Sequence, residues 1–198
     1  AGGSVNATKT DLKALNALSL KAGNDVLATN AKLNGRSVAV TATTGSVTAN
    51  GISLTSTEAT AVNAGKDIAL NSAQIKGADV SLASTAGQVS ASNAELAVTE
   101  ALKVGAKSDA IFKDTSFTTT GAAVSMTAED GKIDLSTTDN SKVMNASSLT
   151  VTAGTDIDLG SRQVVATTDA TVTAGGSVNA TKTDLKALNA LSLKAGND

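Results

Sequence analysis

The 198-residue chain has no cysteine, proline, histidine, tryptophan or tyrosine, and only two phenylalanines. Without cysteine there is no disulfide framework, thiolate ligand or thiol nucleophile. Without histidine and tyrosine the common general bases and nucleophile pairings are missing, which leaves carboxylates, lysine and hydroxyls for any proton transfer. The absence of proline removes the residue that most often interrupts a hydrogen-bonded strand ladder. No long apolar run is present, so the sequence shows neither a membrane-crossing helix nor a signal peptide. Sixteen basic residues against 18 acidic ones give a net charge of −2. With Lys13, Lys32, Lys76 and Lys103 scattered rather than clustered, nothing forms the basic stripe that nucleic acid or an anionic membrane requires.

What the chain does contain is a period. Leu12, Leu33, Leu54, Ile75, Leu96 and Phe117 recur every 21 residues. After one step of 26 the same column is expected to resume at Val143, Val164 and Leu185. A second column runs Val5, Val26, Val47, Ile68, Val89, Ala110, Ile133, Ile157, Val178. Two residues further along lie Ala7, Ala28, Ala49, Leu70, Ala91, Phe112, Leu135, Leu159 and Ala180. A third element appears as pairs such as Leu18/Leu20, Val38/Val40, Val80/Leu82, Leu102/Val104, Val124/Met126, Leu149/Val151 and Leu191/Leu193. Residues two apart share one face of a strand, so each lap offers three short strands with their apolar sides inward.

Corner formers separate them. Gly3, Gly45, Gly87, Gly131 and Gly176 fill one column; Asn30, Gly51, Ser72, Asn93, Asp114, Asn140 and Ser161 fill another. Such residues tolerate positive φ or bond their own backbone. Residues 9–22, KTDLKALNALSLKA, would also suit a helix. Their counterparts GISLTSTEATAV and KDTSFTTTGAAV are rich in Thr, Ser and Val, and a stacking column must keep one conformation, so the strand reading prevails. The sequence therefore predicts an all-β parallel solenoid of about nine coils of about 21 residues, three strands each. At a rise near 4.8 Å per coil that is a rod about 40 Å long.

Residues 1–25 recur unchanged at 174–198, an offset of 173 residues. That offset corresponds to eight coils plus five additional residues, which places an irregular, bulged coil within 118–142. The repetition reads either as tandem 173-residue units with overlap or as a first coil appended as a cap. The expectation is a single repeat domain, 1–198, excised or engineered from a longer rod.

Segments such as LSLKAGNDVLATNAKLNG, VNAGKDIALNSAQIKGADVSLAS and LTVTAGTDIDLGS resemble the haemagglutinin repeats of filamentous-haemagglutinin-like exoproteins, with a pattern near L-x-V-x-A-G-x-D-I-x-L. The resemblance covers essentially the whole chain. It implies a right-handed parallel β-helix in a large protein exported by two-partner secretion to the outside of a Gram-negative cell, as an adhesin shaft or the stalk of a contact-dependent inhibition toxin. It also implies an outer-membrane transporter as a partner during secretion. The family's secretion domain and effector regions have no counterpart here.

Three sets of residues are candidates for chemistry. Glu129, Asp130, Asp134 and Asp139 crowd the irregular coil and are the candidates for a recognition bulge or for a carboxylate pair, since glycoside cleavage needs two carboxylates about 5–9 Å apart. A convex rod is a poor place for such a pair, so no catalytic residue is expected and the protein is read as not an enzyme. Asp25, Asp67, Asp109 and Asp156 share a turn column, but two coils separate neighbours and calcium needs six to eight oxygens. They are expected to accept backbone N–H bonds at a corner, with no metal and no cofactor. Thr-x-Thr pairs at Thr8/Thr10, Thr41/Thr43, Thr55/Thr57, Thr150/Thr152 and Thr171/Thr173 would suit an ice-binding face only if stacked, and only the last two pairs fall in register.

The sequence thus points to a structural shaft of a secreted surface adhesin, with no nucleic-acid partner. The alternative is a rod surface that itself binds host glycan or protein, and an ice-binding or polysaccharide-active solenoid ranks below it. Strand edges at either end and matching first and last coils suggest end-to-end self-association.

Overall fold

The computed structural model describes residues 2–119, 121–139 and 141–196. Among them the ordered backbone consists of strands and turns, without a helix; residues 9–22 form strands Asp11–Lys13 and Ala17–Ala22. The chain is a parallel β-solenoid of nine coils with three faces. We number the coils from the corners at Gly3, Asn24, Gly45, Lys66, Gly87, Ser108, Gly131, Thr155 and Gly176.

The first face is a nine-stranded sheet of two-residue strands, from Val5–Asn6 in coil 1 to Val178–Asn179 in coil 9. Its register is unbroken: Val5 pairs with Val26, then Val47, Ile68, Val89, Ala110, Ile133, Ile157 and Val178. The third face is equally continuous. Leu18 pairs with Val38, and the ladder runs on through Thr60, Val80, Leu102, Val124, Leu149 and Ala170 to Leu191. Thr60 is the one polar member, buried among aliphatics. It is accommodated because its hydroxyl lies 2.9 Å from that of Ser56, so each satisfies the other.

The second face is divided. Leu12, Leu33, Leu54, Ile75, Leu96 and Phe117 pair in sequence. Above Ser116–Thr118 the ladder stops, and a separate three-stranded sheet begins at Val143–Ala146. There Val143 pairs with Gln163, and it is Met144 that stacks under Val164, itself paired with Leu185. Val143 is therefore not the inward member of this column; Met144, fully buried, is. Counting from Phe117 lands one residue short, and in a strand one residue turns a side chain to the opposite side.

The corners explain the remaining residues. The positive-φ column is Lys9, Asn30, Gly51, Ser72, Asn93, Asp114, Ser161 and Lys182, all between 53° and 64°. Asn140 lies outside the described residues. At another corner, coils beginning with glycine alternate strictly with coils carrying aspartate. The Asp25, Asp67, Asp109 and Asp156 carboxylates accept backbone N–H bonds from Ser46 (2.8 Å), Gln88 (2.9 Å), Lys132 (2.9 Å) and Ser177 (2.7 Å) of the coil above. A Cβ at Gly45, Gly87, Gly131 or Gly176 would sit 2.2–2.4 Å from the accepting oxygen, which is why glycine follows aspartate one coil later. The bore is filled by Ala, Val, Leu and Ile, nearly all below 5% exposed from coil 2 to coil 8.

Candidate recognition site at the inserted corner

The additional residues are not spread evenly. Nine positions separate Leu135 from Met144, against five from Leu159 to Val164, so four of the added residues lie in one corner of coil 7. This corner folds back over the outside of coil 6. Asp114 Oδ1 accepts from the Thr138 N–H (2.7 Å), the Thr138 hydroxyl (2.8 Å) and the Thr137 hydroxyl (3.2 Å). Lys142 Nζ donates to the Asp114 carbonyl at 2.5 Å. The Thr138 backbone and side-chain donors hold the Asp114 carboxyl below its ordinary value.

Beneath this corner sits a residue that sequence reasoning missed. Arg162 is fully buried, in the inward column that holds Ala31, Ile52, Ala73 and Ala94 in lower coils. In coil 7 the position below it belongs to Lys142, which the inserted corner carries outward to Asp114. Arg162 fills the room left and reaches down across two coils. Its Nε donates to the Leu135 carbonyl and its Nη2 to the Thr115 carbonyl, the latter at 3.1 Å. The guanidinium lies over the Phe117 ring, 5.1 Å from its centroid, and Phe117 in turn packs on Phe112 at 5.9 Å. Nη1 has no partner among the described residues, and burial pushes the guanidinium pKa down to about 10. The signal for it in the sequence was its place in an apolar column.

The four acidic residues singled out from the sequence do not converge. Glu129 and Asp130 lie at an exposed corner and hold Lys107 Nζ at 3.1 and 2.9 Å; the Asp130 and then the Glu129 contact raise that lysine's pKa. Asp134 Oδ1 accepts from Ser136 N–H (3.0 Å) and its hydroxyl (2.6 Å). Asp139 closes a similar turn on Ser141, whose hydroxyl and N–H lower its pKa. The turn at Asp134 recurs at Asn6, Asp158 and Asn179, each accepting from a donor two residues on. Asp134 and Asp139 thus shape corners of their own coil, while Glu129 and Asp130 bridge to Lys107 of the coil below.

The surface of the described residues carries several open depressions. A depression of about 340 Å³ on the first face is lined by Asp134, Asp156, Asp158, Ser177 and Asn179. A groove of about 440 Å³ follows the second corner past Thr57, Gly77, Ala78, Val98 and Thr99. Among the described residues no group of three or more carboxylates is placed to hold a metal ion. On the third face Ser125/Thr127 join Thr150/Thr152 and Thr171/Thr173 in register, so the hydroxyl array spans three coils, one more than the sequence suggested. Compared with family models, with curated proteins and with solved structures, the chain matches none of them.

Proposed function

We propose that this chain is a length of rigid shaft from a secreted, filamentous-haemagglutinin-like surface protein, whose work is to hold other domains at a distance. The observation that carries the reading is the unbroken register of the first and third faces through all nine coils. Parallel ladders of this kind give length and stiffness from near-identical units and need no distal contacts. The lack of cysteine suits a chain that crosses membranes unfolded before it coils. Gram-negative two-partner secretion is the export route that the sequence pattern supports. The alternative, an adhesive rod surface, loses much of its support because the acidic residues of the irregular coil are held by Ser136, Ser141 and Lys107.

Pulling the chain from both ends in a force spectrometer tests the shaft. Each coil released should add about 70 Å of contour length, from about 21 residues at about 3.4 Å each. A single unstructured extension at low force would end the reading. A glycan array and a cell-surface pull-down with the same chain address the alternative: a spacer retains nothing, whereas saturable capture makes the rod surface itself adhesive.

A further inference from the structure

We propose that the second corner of coils 1–4 is a self-complementary edge, along which two copies of this chain lie side by side and antiparallel, with Leu15 of each seated at Gly77–Ala78 of the other. The lengths of successive corners carry this. Between Lys13 and Ala17 stand three residues, 14–16, whereas between their pairing partners Asn34 and Ser37 stand two, 35 and 36. The alternation continues upward: three residues, 56–58, between Thr55 and Ala59; two, 77 and 78, between Lys76 and Asp79; three, 98–100, between Ala97 and Ala101. A corner with one residue more than its stacked neighbours stands out from the rod, and one with fewer is recessed. Coil 1 carries Leu15 on a long corner, where it is 98% exposed, the most exposed large apolar side chain among the described residues. That exposure belongs to the corner and not to the place in the stack, since Arg36, Thr57 and Thr99 of inner coils are exposed at the same corner. Coil 4 carries Gly77 and Ala78 on a short corner, and the groove of about 440 Å³ opens there, walled by Thr57 and Thr99 of the long corners on either side. Glycine keeps the recess open: a Cβ would sit 2.8 Å from Ser56 Oγ and 3.3 Å from Thr60 Oγ1, the buried hydroxyl pair beneath it.

The alternation dictates the symmetry. A two-fold axis lying across the edge, midway between coils 2 and 3, turns coil 1 onto coil 4 and coil 2 onto coil 3, so each long corner meets a short one. Leu15 then enters the recess at Gly77–Ala78, and the long corner of coil 3 meets the short corner of coil 2. Pairing the same edges in parallel would set like on like, Leu15 against Leu15 and the recess against itself. Charge agrees with the antiparallel arrangement. Arg36 of coil 2 comes opposite Glu58 of the second copy's coil 3, and the reverse contact follows from the axis. Within one chain Arg36 Nε and Glu58 Oε1 lie 2.6 Å apart, yet the side chains stay 62% and 53% exposed, so each keeps surface for a second partner. The same operation brings Lys13 toward Lys76, and Asp11, whose carboxylate lies 3.5 Å from Lys13 Nζ, offsets that repulsion. Pairing therefore covers two exposed leucines with apolar groove wall and sets opposite charges across the axis. Because the contact runs along the side of the rod, a longer shaft can make it equally well.

Sedimentation of the chain as it stands is the first test, and a concentration-dependent dimer is expected. Leu15→Asp should raise its dissociation constant at least tenfold, as should Ala78→Arg, which fills the recess. Arg36→Glu and Glu58→Arg should each weaken the dimer alone, because like charges then meet across the axis. Mixing those two variants should restore it, since both contacts of the mixed pair are again opposite in sign. Loss of the internal ion pair could not produce that rescue. Cysteine linking reads the geometry directly. Leu15 and Ala78 of one chain stand three coils apart, about 14 Å, beyond the reach of a disulfide. Oxidised Leu15→Cys/Ala78→Cys should therefore give a covalent dimer, and Leu15→Cys alone should give none. Each variant is scored where its urea midpoint matches the parent's; if Ala78→Arg disturbs its corner, the outward Leu15→Asp carries the same test. Covalent dimers from Leu15→Cys alone, no rescue on mixing, or a parent that stays monomeric to its solubility limit would each overturn the proposal.

Discussion

Replacing Arg162 gives the most demanding test of the bore. The residue is fully buried and bonds two main-chain carbonyls, one in coil 6 and one in coil 7, from its own place in coil 8. Arg162→Ala removes both donors at once. Each dry carbonyl costs about 1–3 kcal/mol, and the emptied volume adds a cavity cost on the scale of about 2–5 kcal/mol for large side chains. Contact with Phe117 is also lost. Set against the relief of about 3 kcal/mol from no longer burying a charge, the expected destabilisation is about 4 kcal/mol, read as the shift of a urea unfolding midpoint at constant slope.

Arg162→Met separates volume from charge. Burial lowers the guanidinium pKa from its ordinary value to about 10, and at 1.36 kcal/mol per unit the charged form costs about 3 kcal/mol in the folded chain. Methionine fills the space and removes that cost while still leaving the two carbonyls unpaired. The two effects nearly cancel, so Arg162→Met should lie within about 1–2 kcal/mol of the parent. The pH dependence has a fixed sign. Because the folded pKa is depressed, the penalty is fully present below about 10 and fades as pH rises toward the ordinary guanidinium value. Parent stability should therefore gain on Arg162→Met above pH 10 and run parallel to it below. An Arg162→Ala variant that loses under 1 kcal/mol would place the side chain outside the bore and refute the reasoning.

Four further outcomes follow from the corners. Asp67→Ala should cost about 1–2 kcal/mol by removing the acceptor of the Gln88 N–H, measured in urea. Gly87→Ala should cost about 2 kcal/mol or more, and Asp67→Ala should not rescue it, because the new Cβ also meets the Lys66 carbonyl carbon at 2.8 Å. Ser72 holds φ at 55°, so Ser72→Gly should be neutral or gain about 0.5 kcal/mol while Ser72→Val loses about 1–2 kcal/mol in thermal unfolding. Asp114→Asn should lower the melting midpoint at neutral pH. That difference from the parent should shrink as pH falls below the ordinary carboxylate value of 3.8, since a depressed carboxyl loses its contribution on protonation.

How far the residues announced this structure depends on where the spacing is constant. On the first face the two-residue strands and their flanking corners vary little, so stepping along the chain finds each partner from Val5 to Val178. The aspartate corners were legible for a similar reason: a carboxylate beside a strand, with glycine one lap later, has one nearby donor to take. The second face failed at Val143 because Phe117 to Met144 is 27 residues and the next lap, Met144 to Val164, is 20, so steps of 26 and 21 land one residue short, and an apolar residue happens to stand at the counted position. Met144, one further on, carries the column. Arg162 was hidden by its chemistry. A charged residue reads as surface by default, and its burial depends on Lys142 being drawn out by the inserted corner, which no local pattern records. The acidic residues at 129–139 were close in sequence, but the solenoid distributes successive residues over different corners, so closeness along the chain does not make a cluster.

The inserted corner and the buried arginine belong to one solution. Insertion into a solenoid need not disturb the lap above, provided the extra residues leave the stack at a corner and the flanking strands recover register. Faces one and three do recover it, through Ile133–Ile157 and Met126–Val151. Face two does not, and between Phe117 and Met144 the rod lacks one of its three ladders. This is the level at which both phenylalanines and the buried guanidinium occur. Bulky rings fill the bore here, and Arg162 ties coil 8 to carbonyls of coils 6 and 7 across the break. A one-dimensional stack is as stable as its weakest interface. Spanning that interface with a charged side chain, despite its desolvation cost, is the expected remedy where strand pairing has been given up.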